Sequence, residues 1–325
     1  MQNVELQPKL ENEKLQPDFE LGPVKIRRSK LRSLKPADVI FVVINTLILS
    51  MAVAITLYPI LNTLAVSFND GLDSLRGGIH LLPRKISFKN YETVFGMNNL
   101  MKGAINSVAR TLFAAVVHLI VTALLAYVLS IKDFVFRKPV SLFFVLTMYV
   151  NAGLIPTFLL YRELSLTNTF WVYVIPGMVA AFNLLVLRTY MGSLPDSLRE
   201  SAQIDGANHM MIFWRIYVPI CKPVFATIAL FIAVYHWSSW FDNMIYNPRN
   251  TDLTTLQYEL KKLMSSVSNQ TTSSSSYGNS TQSVAITPVS VRAAATMVTS
   301  MPIVILYPFL QRYFITGLTI GGVKE

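Results

Sequence analysis

Six stretches of the chain are apolar for long enough to cross a bilayer, and the segments between them are polar, charged or rich in Ser and Thr. They run over 39–61, 104–131, 139–161, 167–187, 223–246 and 293–311. A helix needs about 20 apolar residues to span the hydrocarbon core, because lipid satisfies no backbone hydrogen bond. The pattern therefore predicts six helical spans with both termini on one side. Between the fourth and fifth spans lies ESAQIDGANHMMIFWRIYVPICKP (200–223), which carries Glu200, Asp205, Arg215 and Lys222 and breaks at Asp205-Gly206. A charged, interrupted segment between two spans is the feature that most needs explaining.

Composition agrees with a membrane protein. Of 325 residues, 52% are hydrophobic and 14% charged, against about a quarter charged in ordinary soluble domains. The formal charge of +10 is no nucleic-acid signature, since much of it sits in KIRRSKLRSLK (25–35), directly before the first apolar run. That run is about twice as long as the core of a secretory signal, so it reads as a retained span. Cys221 is the only cysteine and the four histidines are scattered, which removes disulfide and metal-cluster chemistry from consideration. With the N-terminus inside, the basic residues concentrate on inner segments, from Lys25 to Lys35, at Lys132, Arg137 and Lys138, and from Arg188 to Lys222. Segment 200–223 then faces the cytoplasm.

The expected organisation is a basic cytoplasmic segment over 1–38, a membrane domain over 39–312 and a cytoplasmic tail over 313–325. An inner loop covers 189–222 and an outer loop 247–292. The outer loop contains SSVSNQTTSSSSYGNSTQS (265–283), which cannot build a core and reads as flexible; Asn269 and Asn279 match glycosylation sequons that chance also supplies. Before it, Leu253, Leu256, Leu260 and Leu263 share one helical face, predicting a short helix lying on the outer surface.

In the inner loop, Pro195 suits a first helical turn and Asp196 complements the positive end of the helix that follows. Asp205-Gly206 breaks that helix, and a second one runs from Asn208 until Pro219 ends it. The element is a helix, a sharp turn and a helix, with small residues at Ser201 and Ala202. It suits either a protein partner that approaches the backbone closely or the lipid surface.

Glu200-Ser201-Ala202, Asp205-Gly206-Ala207, Phe213, Ile216 and Val218-Pro219 closely resemble the EAA motif of ABC importer permeases. Ser201 replaces the usual alanine and Val218 the usual leucine. LYPILNTLAVSFND (57–70), LLPRKISFKNYETVF (81–95), AGLIPTFLL (152–160), HWSSWFDNMIY (236–246) and QRYFITGLTIGGVKE (311–325) are similar to the carbohydrate-uptake, maltose-type members, nearest those taking complex oligosaccharides or polysaccharide fragments. The resemblance implies an all-α membrane protein of six transmembrane helices, the type I ABC importer permease fold, with a cytoplasmic coupling helix between spans 4 and 5. It implies a bacterial inner-membrane location and ATPase contacts through Glu200, Ser201, Ala202, Asp205, Gly206 and Ala207. Its implied partners are a second permease subunit, two ATPase subunits and an extracytoplasmic sugar-binding protein. None of the 14 glycines sits in a G-x-x-x-x-G-K-[ST] loop, so ATP and Mg are expected on a partner chain, with no cofactor and no catalysis here.

For the substrate path the sequence offers Tyr235, Trp237 and Trp240, whose rings could stack on sugars or serve as interfacial anchors and packing. Asn151 and Asn183 are amides at membrane depth, suited to sugar hydroxyls or to joining helices. Arg110, near an outer span end, is expected to snorkel; contact with an acidic sugar is the alternative. His118 is expected to be a neutral packing residue and His236 an interfacial anchor. Asp242 is the one acid in the predicted spans, which argues against an ion-coupled secondary transporter; a non-transporting scaffold is the third class.

Overall fold

The computed structural model describes residues 36–272 and 287–319, with side chains over 36–265 and 287–308. The predicted segment 1–35, the Asn269 side chain, Asn279 and the tail beyond 319 lie outside the described residues. The described chain is helical and contains no strand; one isolated antiparallel bridge joins Asn69 to Ile86. Its helices are α1 (Pro36–Ser67), α2 (Gly71–Leu75), α3 (Lys89–Gly96), α4 (Asn98–Ser130), α5 (Arg137–Thr147), α6 (Leu154–Glu163), α7 (Ala181–Gly192), α8 (Asp196–Ile204), α9 (His209–Ile212), α10 (Val218–Ile220), α11 (Lys222–Ser238), α12 (Phe241–Tyr246), α13 (Leu256–Thr272) and α14 (Pro288–Thr319). A π-helical turn, Phe213–Tyr217, joins α9 to α10.

Among the described residues, three helices, α1, α4 and α14 over Pro288–Pro308, are individually long and apolar enough to cross a membrane. Helix α1 is apolar on every side, as a lipid-embedded helix is. The segment His209–Ile220 and α11 together make a fourth candidate, bent by 84°. The six expected spans are not all single helices: the third, fourth and fifth stretches are broken, the fifth at the extended Ser239 between α11 and α12. In the third, Asn151 Oδ1 accepts the Gly153 N–H at 2.9 Å, and this Asx-type closure separates α5 from α6. In the fourth, a 3-10 turn (Phe170–Tyr173) leads into Pro176 and Gly177, whose φ of +72° ends any continuous helix before α7.

The carbonyls freed by this second break are taken up by α4. His118 Nε2–H donates to the Val174 carbonyl at 2.6 Å and Thr122 Oγ1 to that of Met178 at 3.2 Å. Buried backbone groups require such partners, so the break is part of the fold. The main core joins the C-terminal half of α4 to α7, α9 and α11 through Ala126, Leu184, Leu187, Ile212, Phe213 and Ile228. A second core holds α3, α4, α13 and α14 around Leu256, Leu260 and Trp237.

Two local expectations also change. Leu253 belongs to a 3-10 turn, Thr251–Leu253, that precedes α13. The remaining apolar face packs into the protein: Leu256 and Leu260 are buried against α4 and α14. Gly103 makes this approach possible, since a Cβ there would stand 3.0 Å from the Leu256 amide nitrogen. Pro219 does not end its helix, which continues to Ile220 before the bend at Cys221. The π-turn immediately before it loosens the ladder where proline lacks an N–H.

Candidate functional site

A cavity of about 780 Å3 opens between α4, the broken fourth stretch, α11 and α12. Its chemistry comes from Arg110, Asp242, Tyr161, Tyr235, His236 and Asn183. Arg110 does not snorkel. Its side chain is 1% exposed, Nη1 donates to Asp242 Oδ1 at 3.3 Å, and Nη2 makes a short contact with Oδ2. Its guanidinium carbon lies 4.4 Å from the centre of the Tyr173 ring, a cation–π geometry. The apolar surroundings leave pairing as the way to hold this charge, and Asp242 supplies it from the start of α12.

A polar network fixes this end of the cavity. The Tyr173 hydroxyl donates to the Leu253 carbonyl at 2.8 Å, and Asn243 Nδ2 donates to Tyr173 Oη at 2.5 Å and to the same carbonyl at 3.2 Å. The 3-10 turns and α12 are thereby tied to the wall that carries Arg110. His118 and His236 meet edge to face at 4.9 Å. His118 is hydrogen-bonded to the backbone as expected, and it lines the cavity as well. His236 is 3% exposed, so the expected interfacial anchor is instead a buried cavity residue.

The sequence-derived aromatic and amide residues separate into two groups. Tyr235, 69% exposed, and the buried Asn183 line the cavity. Trp237 is buried in the second core, where its Nε1–H donates to the Thr299 carbonyl at 2.9 Å. Trp240 stands at the start of α12 with Lys261 Nζ 5.2 Å from its ring centre, and Asn151 closes the α5–α6 break; neither lines the cavity. Tyr161, Tyr173 and the Arg110–Asp242 pair went unrecognised because their partners are far apart in sequence.

The second region is the helix-turn-helix between α7 and α11. Gly206, with φ +82°, closes α8: its N–H reaches the Gln203 carbonyl at 3.0 Å, and the Ala207 N–H reaches that of Ala202 at 2.9 Å. These two bonds are the Schellman pattern, which requires a left-handed residue where Gly206 stands. Asn208 then caps the next helix, its Oδ1 accepting the Met211 N–H at 2.8 Å. Glu200, Ser201, Asp205 and Gly206 are exposed, and Ala202 and Ala207 half-buried. Ile204, at 88% exposure, and Met210 project beside them.

Helix α8 is held from the α4–α5 turn by two ion pairs, Lys132 to Asp196 at 2.5 Å and Arg199 to Asp133 at 3.3 Å. The hydrogen bond from Lys132 holds the Asp196 carboxyl below the usual aspartate range. Tyr127 adds an edge contact with His209. The turn is thus presented on a supported base.

Residues 120–240 match the family model described as "Binding-protein-dependent transport system inner membrane component". The polygalacturonan/rhamnogalacturonan transport system permease protein YtcP of Bacillus subtilis is 31% identical, over 85% of this chain and 95% of its own length. Protein LplC of the same organism is 30% identical, over 88% of this chain and 95% of its own. Among solved structures, a chain of a bacterial ABC transporter involved in import of the acidic polysaccharide alginate superposes with a TM-score of 0.77 at 30% identity, covering 86% of this chain and 98% of that one.

Proposed function

Because this chain belongs to the family of binding-protein-dependent transport system inner membrane components, we propose that it forms, with a second permease subunit, the membrane path of an ATP-driven importer for oligosaccharides or polysaccharide fragments. The six crossings are α1, α4, α5 with α6, the broken segment ending in α7, α11 with α12, and α14. Both termini and the α8–α9 turn lie in the cytoplasm. There the turn, through Glu200, Ser201, Ala202, Asp205, Gly206 and Ala207, docks on one of two ATPase subunits that carry ATP and Mg. An extracytoplasmic binding protein delivers the sugar, and the 780 Å3 cavity admits it.

The observation that carries this reading is the Schellman-closed turn with its exposed acids and small residues, supported from the α4–α5 loop. It is a rigid, backbone-accessible knob of the kind a protein cleft can grip. An ion-coupled mechanism finds less support, since Asp242 is already neutralised by Arg110.

The test is Gly206→Val. A Cβ at Gly206 meets nothing within 4 Å in this chain, so folding loses only the backbone strain of about 1–3 kcal/mol. Close approach by a partner is obstructed as well. The expected result is normal membrane insertion with weakened ATPase copurification and transport largely lost. Unchanged ATPase association and sugar uptake would return the turn to a role as a lipid-surface connector.

A further inference from the structure

The α4–α5 corner holds a second cavity, of about 590 Å3, on the α8 side of the molecule. Lys132, Arg137, Lys138 and Arg188 line it, with Asp133 as the only acid among the lining residues. Lys132 and Asp133 are engaged with Asp196 and Arg199. Arg137, Lys138 and Arg188 form no ion pair among the described residues, and Arg137 Nε is buried without a hydrogen-bond partner.

The helix geometry sharpens the conflict. Arg137 and Lys138 open α5, where the unpaired N–H groups and the macrodipole present positive charge. That first turn contains no acid, and Phe136 provides no side-chain cap. Cations stacked on a positive helix end, facing a third cation across a cavity, are mutually destabilising unless an anion sits among them. On the same loop Val135 and Phe136 are 84% and 61% exposed, an apolar collar beside the charged cavity.

We propose that this cavity binds the phosphate of an anionic phospholipid headgroup. Position and collar select lipid over a soluble anion: the cavity lies where α4 ends and α5 begins, so the phosphate reaches Arg137, Lys138 and Arg188 while Val135 and Phe136 enter the acyl boundary. Basic cavities between helix ends on the inner side of a membrane protein suit acidic lipids for this reason. The cytoplasmic placement rests on the orientation proposed above. Through Lys132–Asp196 and Asp133–Arg199 the same loop supports α8, so the bound lipid braces the turn from below.

The experiment titrates the purified transporter, with the partner chains it retains, with phosphatidylglycerol or phosphatidylcholine and counts bound lipid by native mass spectrometry. Phosphatidylglycerol should bind in preference. Lys138→Gln, an exposed position that folding tolerates, should weaken it about five-fold, and Arg137→Gln/Arg188→Gln about thirty-fold, with phosphatidylcholine unaffected. Unchanged phosphatidylglycerol affinity in Lys138→Gln and in the double variant overturns the proposal. Displacement of the lipid by millimolar inorganic phosphate assigns the site to a soluble anion and overturns it also. Loss of ATPase association at unchanged lipid affinity gives these cations to a protein partner instead. Lipid counting needs no coupling to ATP hydrolysis, so it stands or falls separately from the Gly206 test.

Discussion

Removing the acid from the Arg110–Asp242 pair should destabilise the transporter severely, and removing both charges should not. In Asp242→Ala the Arg110 side chain, 1% exposed, keeps its charge and loses its carboxylate. Stranding one member of a buried pair costs about 3–5 kcal/mol. The Tyr173 ring, 4.4 Å away, remains as a partial partner and places the expected cost at the lower end, about 3 kcal/mol. At roughly 2 °C per kcal/mol for a chain of this size, the unfolding midpoint falls by about 6 °C. Asp242→Asn retains an acceptor and should lose less. Arg110→Met/Asp242→Ala removes the stranded charge, so its midpoint should recover to within about 2 °C of the unmodified protein. The assay is thermal unfolding of the detergent-solubilised complex followed by intrinsic fluorescence. A single variant indistinguishable from the unmodified protein, or a double variant as labile as the single one, refutes the buried-pair argument.

Gly103→Ala should cost about 1–3 kcal/mol, because its Cβ would press on the Thr255–Leu256 backbone at 3.0–3.1 Å, which cannot swing aside; hydrogen exchange along α13 should accelerate, and unchanged exchange there sinks the close-packing claim. Tyr235→Ala, at the cavity wall, should reduce sugar uptake with assembly intact, while Trp240→Ala should leave uptake near normal; the reverse order moves the substrate path out of this cavity. Asp196 has its pKa lowered mainly by the Lys132 hydrogen bond, so the pair contributes stability above the ordinary aspartate range and loses it as pH falls through the lower folded value. Protection of α8 amides should therefore persist just below the ordinary aspartate pKa, and its loss at or above that value contradicts the pairing.

The sequence made the long uninterrupted apolar runs legible, because one signal, about 20 apolar residues, is sufficient for α1, α4 and α14. It also located the α8 break correctly, since glycine is the residue that a left-handed helix terminus selects. It failed where hydropathy and helicity part company. The 139–161, 167–187 and 223–246 stretches each read as one span, yet Asn151, Pro176-Gly177 and Ser239-Trp240 interrupt them, and the carbonyls freed at the second break find His118 and Thr122 on another helix. That rescue is a tertiary fact with no local signature. The Arg110–Asp242 pair did leave a trace: these are the only Lys, Arg, Asp or Glu residues within the six predicted spans. Two opposite charges in otherwise uncharged spans should find one another, and treating each by itself produced the snorkelling expectation.

The arrangement of breaks explains how the two regions can work together in the proposed importer. Helix α11 is 17 residues long, about 25 Å of stiff rod. At one end Val224 and Ile228 pack with Ile212, Phe213 and Tyr217 of the segment following the α8 turn; at the other, Ile232, Tyr235 and His236 form part of the cavity wall. The 84° bend at Cys221 sets the first arm across the second, so a push on the turn acts on α11 at an angle, with the fully buried Cys221 at the joint. Close-packed contacts of this kind pass on a displacement instead of absorbing it. The facing wall is secured differently, by Arg110–Asp242 and by Tyr173 and Asn243 on the Leu253 carbonyl. Polar bonds with fixed geometry hold that side, while α11 meets α7, α9 and the π-turn through an apolar seam, its Trp237–Thr299 bond lying on the α14 side. An apolar seam can shift register without stranding a donor or acceptor, and a hydrogen-bonded network cannot. In the proposed importer, movement started at the α8–α9 turn would therefore be expressed chiefly at the Tyr235 side of the cavity, with the Arg110 side as the fixed reference.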